Sequence, residues 1–333
     1  MLPLTTEPAE LHELATPRPG PEAKPIINGE DAEVEDWPQA GAIVPQVVGM
    51  APAIMCSSTL IAPDVVLTAA HCVDEAYIGA FEALYWSRQA DLRRYDGSTE
   101  PNAPPDAVVA ADWIMHPDWS IDALGIGLAE NHDIALVFLD EALTDIRLAV
   151  LASPEEDAEM ESGDEVVIVG WGMTDPADPL SYGLKQQGVE AVAEIADYEF
   201  QVGEDGDSTR KCHGDSGGPT FRAYETDSTE IYRQLGVASH TYDENDCMTA
   251  GAVETRVNFY RDWVAEEMEA RCDDDSRVWC DEPGILPAPP PPIPLDVSDV
   301  TLVGCSAAPG SAVGGFVGGW LLVGRRRRCS DRG

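Results

Sequence analysis

From residue 26 to residue 270 the apolar residues come in runs that are short and rich in β-branched side chains: 42–48, 59–68, 108–114, 134–139, 166–169 and 234–239. Gly, Pro, Asp and Ser clusters separate them. β-Branched side chains are stiff at χ1 and pack well on a pleated surface, so runs of this kind between turn residues read as strands. The chain is therefore predicted to be all-β over this region. Helical periodicity strengthens only over 258–270, where Phe259, Trp263, Val264 and Met268 share a face, as in a terminal amphipathic helix.

The ends have a different composition. Residues 1–25 are polar and carry prolines at 3, 8, 17, 19, 21 and 25, which suits a propeptide or spacer rather than an independent fold. No apolar run there could serve as a signal peptide. Residues 271–304 form an acidic and Pro-rich linker, with a proline-dense, extended stretch at 283–294. Residues 306–324 are uncharged and rich in Gly, Ala, Val and Leu, and they run into four arginines, Arg325 to Arg328. A short membrane span with cytoplasmic arginines and a flexible Gly/Ala tail both fit this pattern.

The 61 acidic against 20 basic residues give a formal net charge of −41. Such a chain repels phosphates, which argues against nucleic acid or anionic headgroups as partners, and the charge favours solubility outside the cell. The eight cysteines, Cys56, Cys72, Cys212, Cys247, Cys272, Cys280, Cys305 and Cys329, match no CxxC metal or redox spacing. Disulfides are the better reading, and they place the protein in an oxidising compartment: periplasm, cell surface or medium.

Hydrolysis of a peptide bond needs a nucleophile, a base, an acid that orients the base, and donors for the oxyanion. Three segments carry such groups: Thr68-Ala-Ala-His71-Cys72, Asp133-Ile-Ala-Leu136 and Gly214-Asp-Ser216-Gly-Gly-Pro219. Each is unremarkable alone. Together, and in the order His, Asp, Ser, they resemble the signatures of the trypsin/chymotrypsin family of serine proteases. Gly170-Trp171-Gly172 and Ile114-Met-His-Pro117 resemble turns of the same family, and the likeness spans residues 26–270. It implies two packed six-stranded antiparallel β-barrels followed by a C-terminal α-helix.

By this resemblance His71, Asp133 and Ser216 would form the catalytic triad and the amides of Gly214 and Ser216 the oxyanion hole. His116 and His132 are expected to be surface structural residues. The resemblance implies disulfides Cys56–Cys72 and Cys212–Cys247, and Cys272–Cys280 could pair across a short loop. Ile26-Ile27-Asn28-Gly29 resembles the N-terminus that family members expose on activation, with Asp215 as partner of the new ammonium. Pro25 stands where a tryptic site would need Lys or Arg, so another activating protease is implied.

Six residues before the nucleophile, where Lys/Arg-specific members carry Asp, this chain has Arg210. Trypsin-like cleavage is disfavoured. Ser239, His240 and Thr241, with Ala252 opposite, resemble the pocket walls. A cationic floor would favour Asp or Glu before the scissile bond; Glu254 could neutralise Arg210 and leave a pocket for small or apolar residues, or Arg210 could turn to solvent. No cofactor or metal is required, although a structural calcium ion in the acidic stretch between Asp91 and Asp106 is conceivable. Partners would be protein or peptide substrates and the activating protease. The alternative is a catalytically idle homologue serving as a surface adhesion or binding module.

The ending Gly304-Cys305-Ser306, an apolar stretch and then arginines resembles the C-terminal sorting tail of exported myxobacterial proteins. That likeness implies processing at Cys305, sorting machinery and membrane as partners, and at least transient anchoring of residues 305–333 at the cell surface. An ordinary C-terminal transmembrane anchor would give nearly the same topology.

Overall fold

The computed structural model describes residues 26–280, except 99, 176, 177, 179, 180, 226–229, 244–246, 248, 273–276 and 278. The N-terminal segment, Cys305 and the tail lie outside the described residues. The chain enters at β1 (Glu30–Asp31) and builds a first barrel from β2 (Ala40–Val47), β3 (Cys56–Ala62), β4 (Val65–Thr68), β5 (Phe81–Ser87), β6 (Val108–Met115) and β7 (Ala135–Leu139). All its pairings are antiparallel, in the order β2-β3-β4-β7-β6-β5, and β5 closes on β2 with Ile43 opposite Trp86. The single apolar run 59–68 turns out to be a hairpin. Pro63 and Asp64 separate β3 from β4, since Pro lacks the N–H a ladder needs.

The second barrel consists of β8 (Glu165–Gly170), β9 (Gln186–Ile195), β10 (Glu199–Val202), β11 (Pro219–Glu225), β12 (Glu230–Thr241) and β13 (Ala252–Arg256). Its order is β9-β10-β13-β12-β11-β8, again antiparallel, and β8 pairs with β9 to close it. β1 pairs with β9 outside the ring. The two six-stranded barrels and the helix after them are the fold the sequence predicts. Closure removes sheet edges that would otherwise invite pairing with other chains.

Among the described residues, three short α-helices decorate the barrels: α1 (Glu75–Ile78), α2 (Pro154–Ala158) and α3 (Arg261–Ala270). α2 is fixed by a capping box, in which Ser153 Oγ accepts from Glu156 N–H at 3.2 Å and Glu156 Oε2 accepts from Ser153 N–H at 2.8 Å. The predicted helix over 258–270 begins as a 3₁₀ turn, Val257–Tyr260, before α3. The tighter turn takes Phe259 off the buried face, where it is 46% exposed under the Arg256 guanidinium. Val264 and Met268 are buried as the periodicity requires.

Beyond α3, the described residues Arg277 and Trp279 pack against the first barrel. Trp279 is fully buried and its Nε1–H donates to Asp64, which also pairs with Arg277 Nη1 at 2.8 Å. Cys272 and Cys280 are bridged across this loop. Among the described residues no helix is long and apolar enough to cross a membrane.

Candidate active site

His71 sits in the 3₁₀ turn Ala70–Cys72 directly after β4. That turn is clamped covalently, because Cys72 is bridged to Cys56 on β3 with a Cα–Cα distance of 6.0 Å. A crosslink over a loop of this size is worth about 3 kcal/mol by restricting the unfolded chain. Asp133 is wholly buried just before β7. His132, at φ 51°, makes the turn into it.

Asp133 collects donors from three directions. Its Oδ1 accepts from His71 N–H at 3.0 Å, and its Oδ2 faces His71 Nδ1 at 2.8 Å and accepts from Ser239 Oγ at 2.6 Å. Burial alone would raise this carboxyl, but the charge of His71 and these hydrogen bonds outweigh it and hold the group below its usual range. The imidazole has the complementary balance. Burial alone would depress it, while the charge and hydrogen bond of Asp133, helped by Asp74, hold it above its ordinary 6.5. With Nδ1 committed to Asp133, Nε2 is the nitrogen left to exchange a proton with a substrate or nucleophile.

The loop around Asp133 is anchored from the second barrel. Thr255 Oγ1 donates to the Asp133 carbonyl at 3.2 Å, and Glu199 on β10 accepts from Ala129 N–H at 2.7 Å and Asn131 Nδ2 at 2.8 Å. Desolvation pushes the Glu199 carboxyl up to about 7. His116 and His132 are half-buried rather than on the surface: their rings stack at 5.0 Å, and His132 Nδ1 meets the Tyr260 hydroxyl at 3.2 Å.

Ser216 lies in the turn between Gly214 and Gly218. Gly217 backs onto the His71 segment so closely that a side chain there would collide with Thr68 Oγ1 and the Ser57 carbonyl. Gly214 has φ 96°, a left-handed conformation that only glycine adopts without strain, and a Cβ would stand 2.9 Å from Gly172 Cα. The buried Asp215 accepts from Gly172 N–H at 2.8 Å and Cys212 N–H at 2.9 Å, and desolvation pushes it up to about 6. Ile26 and Ile27 are buried beside this loop's strand. Ile27 pairs with Arg210 in both directions, N–H to carbonyl at 3.1 Å and 3.3 Å, and Ile26 packs with Ile168 and Val166.

The chain from Arg210 to Cys212 is bridged to Cys247. Arg210 is 3% exposed; its Nε donates to Cys247 O at 2.6 Å and its Nη1 to Gly206 O and Ser208 O at 2.7 Å and 2.9 Å. It therefore does not turn to solvent. Glu254 on β13 pairs with Lys211 rather than Arg210, Nζ to Oε2 at 3.0 Å, and also accepts from Thr220 Oγ1 at 2.7 Å. Lys211 Nζ further donates to Gly218 O and Thr220 Oγ1, each at 2.9 Å, while desolvation lowers its proton affinity. Glu254→Gln should leave a buried ammonium without its counter-charge and lower the unfolding free energy by about 3–5 kcal/mol, measured by urea titration. Replacing both partners with apolar residues should cost much less.

Ser239, His240 and Thr241 end β12, and Thr241 is paired with Ala252 on β13. His240 Nε2 lies 3.0 Å from Gly127 O, an acceptor only, so that nitrogen carries a proton, while Nδ1 lies 3.0 Å from Ser239 Oγ. Burial holds this imidazole below its ordinary value. Cys56, His71 and Cys72 offer ligand atoms within 4.8 Å of one another, but both sulfurs are consumed in the Cys56–Cys72 bond. In the acidic stretch, Asp91 pairs with Arg93, Glu100 with Arg94, and Asp106 accepts from Ser87 Oγ and Arg88 N–H.

The trypsin family model matches residues 26–264. The chain belongs to the trypsin family. This trypsin-family chain is 28% identical over 261 residues to chymotrypsin-like elastase family member 3B of Homo sapiens, covering 72% of the chain and 88% of that relative. It is 29% identical over 265 residues to proproteinase E of Bos taurus, 72% and 94% covered. To Bos taurus chymotrypsin-C it is 26% identical over 263 residues, 73% and 89% covered. What motif reading of this trypsin-family sequence missed are the contacts made at a distance: Ser239 and Thr255 on Asp133, Glu199 under Asn131, and Lys211 with Glu254.

Proposed function

We propose that this chain is a serine endopeptidase in which Ser216 Oγ attacks the scissile carbonyl and His71 takes its proton. Asp133 orients the imidazole and stabilises its cation, and His71 then hands the proton to the leaving amine. The N–H groups of Gly214 and Ser216 receive the oxyanion. The observation that carries this reading is the His71–Asp133 pair: a wholly buried carboxylate, itself held by Ser239, fixes a partly accessible imidazole through Nδ1 and leaves Nε2, 3.7 Å from Cys72 Sγ, as the nitrogen that would serve the nucleophile. Protein groups supply every step, and no cofactor enters.

Activation by exposing Ile26 follows from the same loop. Asp215 is a buried carboxyl with backbone N–H partners and a raised proton affinity, and an ammonium at Ile26 would supply the counter-charge that favours its ionised form. Residues 1–25 are then a propeptide or spacer and residues 26–270 the protease domain, with Arg277, Trp279 and the Cys272–Cys280 bridge packed against it; the remaining residues to 304 are a linker, and residues 305–333 an export and anchoring tail processed at Cys305. The negative charge and the three bridges suit an extracellular or cell-surface site of action.

At the pocket, Glu254 is engaged by Lys211. A guanidinium at position 210, where Lys/Arg-specific members carry Asp, would disfavour Lys and Arg and favour Asp or Glu before the scissile bond. The test is digestion of a diverse peptide library by protein beginning at Ile26, with Ser216→Ala as control and products read by mass spectrometry. Cleavage confined to the parent and clustered after Asp or Glu is expected. Clustering after small residues would restrict the proposal to exclusion of Lys and Arg, and no cleavage by folded, trimmed protein would favour an idle binding homologue.

The raised imidazole fixes the acid limb of activity. His71 must be neutral to act as base, so kcat/KM should fall as pH drops through a midpoint above 6.5. The proton on His71 also stabilises the fold: that contribution is complete below 6.5 and is lost as pH rises through the folded value. A pH–rate profile with a midpoint at or below 6.5 would contradict the assigned pair.

A further inference from the structure

We infer that Ser57 is a positioning residue for the oxyanion loop, holding the Gly214 backbone from the opposite barrel; this rests on the peptidase reading above. Ser57 lies on β3 of the first barrel and is wholly buried. Its Oγ donates to the Gly214 carbonyl at 2.9 Å and accepts from Trp171 N–H at 3.0 Å. Its N–H donates to the Ser216 carbonyl at 2.7 Å, and its carbonyl accepts from Thr68 Oγ1 at 3.0 Å. Each polar group of Ser57 is used, and three of these contacts go to the second barrel, to Gly214, Ser216 and the Trp171 turn after β8.

An oxyanion donor works only if it is already aimed when charge develops. Gly214 has no Cβ to resist rotation, so the two peptides flanking it can swing at little cost. Both are pinned by hydrogen bonds. Met173 N–H donates to the His213 carbonyl at 2.8 Å; because N–H and C=O of a trans peptide point opposite ways, this bond aims the Gly214 N–H. The next peptide is pinned at its carbonyl by Ser57 Oγ and at its Asp215 N–H by the Cys212 carbonyl at 2.9 Å. Of these three pins, only the Ser57 hydroxyl can be removed by side-chain substitution.

The test compares protein beginning at Ile26 with its Ser57→Ala variant, using a peptide cleaved by the parent, the matching peptidyl aldehyde and the matching peptide alcohol. The aldehyde becomes an oxyanion-bearing hemiacetal on Ser216, whereas the alcohol has no carbonyl to fill the hole. Loss of the hydroxyl should lower kcat and weaken the aldehyde by about tenfold, less than the roughly 10²–10³-fold that follows loss of an oxyanion donor itself. KM and alcohol affinity should stay within about twofold, as for an interaction made only in the transition state. Unchanged kcat, or equal losses for aldehyde and alcohol, would overturn the assignment. If Ser57→Ala does not fold, the same comparison is made on Ser57→Gly, and failure of both to fold would make Ser57 a structural residue alone. A parent without Ser216-dependent cleavage would instead remove the peptidase reading, and the role of Ser57 with it.

Discussion

Ser216→Ala, in protein beginning at Ile26, is expected to lower kcat by about 10⁶-fold while leaving the fold intact. The size follows from the way the site is assembled. His71 and Asp133 hold each other whether or not a hydroxyl is present, so the variant keeps a well-formed base with nothing to deprotonate except water. What remains is the catalysis that the oxyanion donors and substrate binding supply alone. Ser216 meets solvent partially, and its main-chain bond to Ser57, from Ser57 N–H to the Ser216 carbonyl, does not involve Oγ. The unfolding temperature should therefore match the parent, and fluorophosphonate labelling should vanish. Substantial labelling or turnover in the variant would show that another residue is the nucleophile.

Asp133→Asn is expected to lower kcat by about 10⁴-fold. The carboxylate accepts from Ser239 Oγ and from His71 N–H and faces Nδ1, so all its roles here are those of an acceptor. An amide offers one acceptor oxygen and one NH₂. If the oxygen stays on the His71 N–H, the NH₂ faces both Nδ1 and Ser239 Oγ, which forces the proton of His71 onto Nε2, the nitrogen that should receive the proton of Ser216. The charge that holds the imidazole above 6.5 is lost as well, so the residual activity should keep its acid limb at lower pH than the parent's. Measuring kcat and the pH profile on the same preparation separates this from unfolding, since a merely destabilised enzyme would lose activity without moving the limb.

Much of the architecture was legible because the relevant physics is local. Short β-branched runs and turn residues indicated strands, and the burial of Val264 and Met268 on α3 followed from spacing alone. Where local signals conflicted, the reading blurred: 59–68 looked like one strand because Pro63-Asp64 is a brief interruption between apolar residues, and the 3₁₀ turn that exposes Phe259 has no clear signature. The candidate site was legible as far as its motifs reach, since His71, Asp133 and Ser216 each lie in a contiguous signature. Their supports were not. Ser239 reaches Asp133 across 106 positions and Ser57 reaches Gly214 across 157, and a serine in a strand carries no mark of which distant carbonyl it will meet. Glu254 is a possible neutraliser in the sequence, but which of Arg210 and Lys211 claims it depends on side-chain direction: the Arg210 guanidinium turns to the carbonyls of Cys247, Gly206 and Ser208, while Lys211 Nζ reaches Glu254.

The bridge between Cys272 and Cys280 also sets the mechanical path through the end of the domain. A pull on the chain beyond Cys280 passes through the sulfurs to Cys272 and so to the end of α3, bypassing the eight-residue separation between the two cysteines. Trp279 and Arg277, lodged on Asp64 of the first barrel, lie inside the bypassed loop and carry no tension. Reducing that bridge reroutes the load: the Trp279 peg becomes the first element in line, and a tethered domain would begin to yield at the first barrel instead of at the helix.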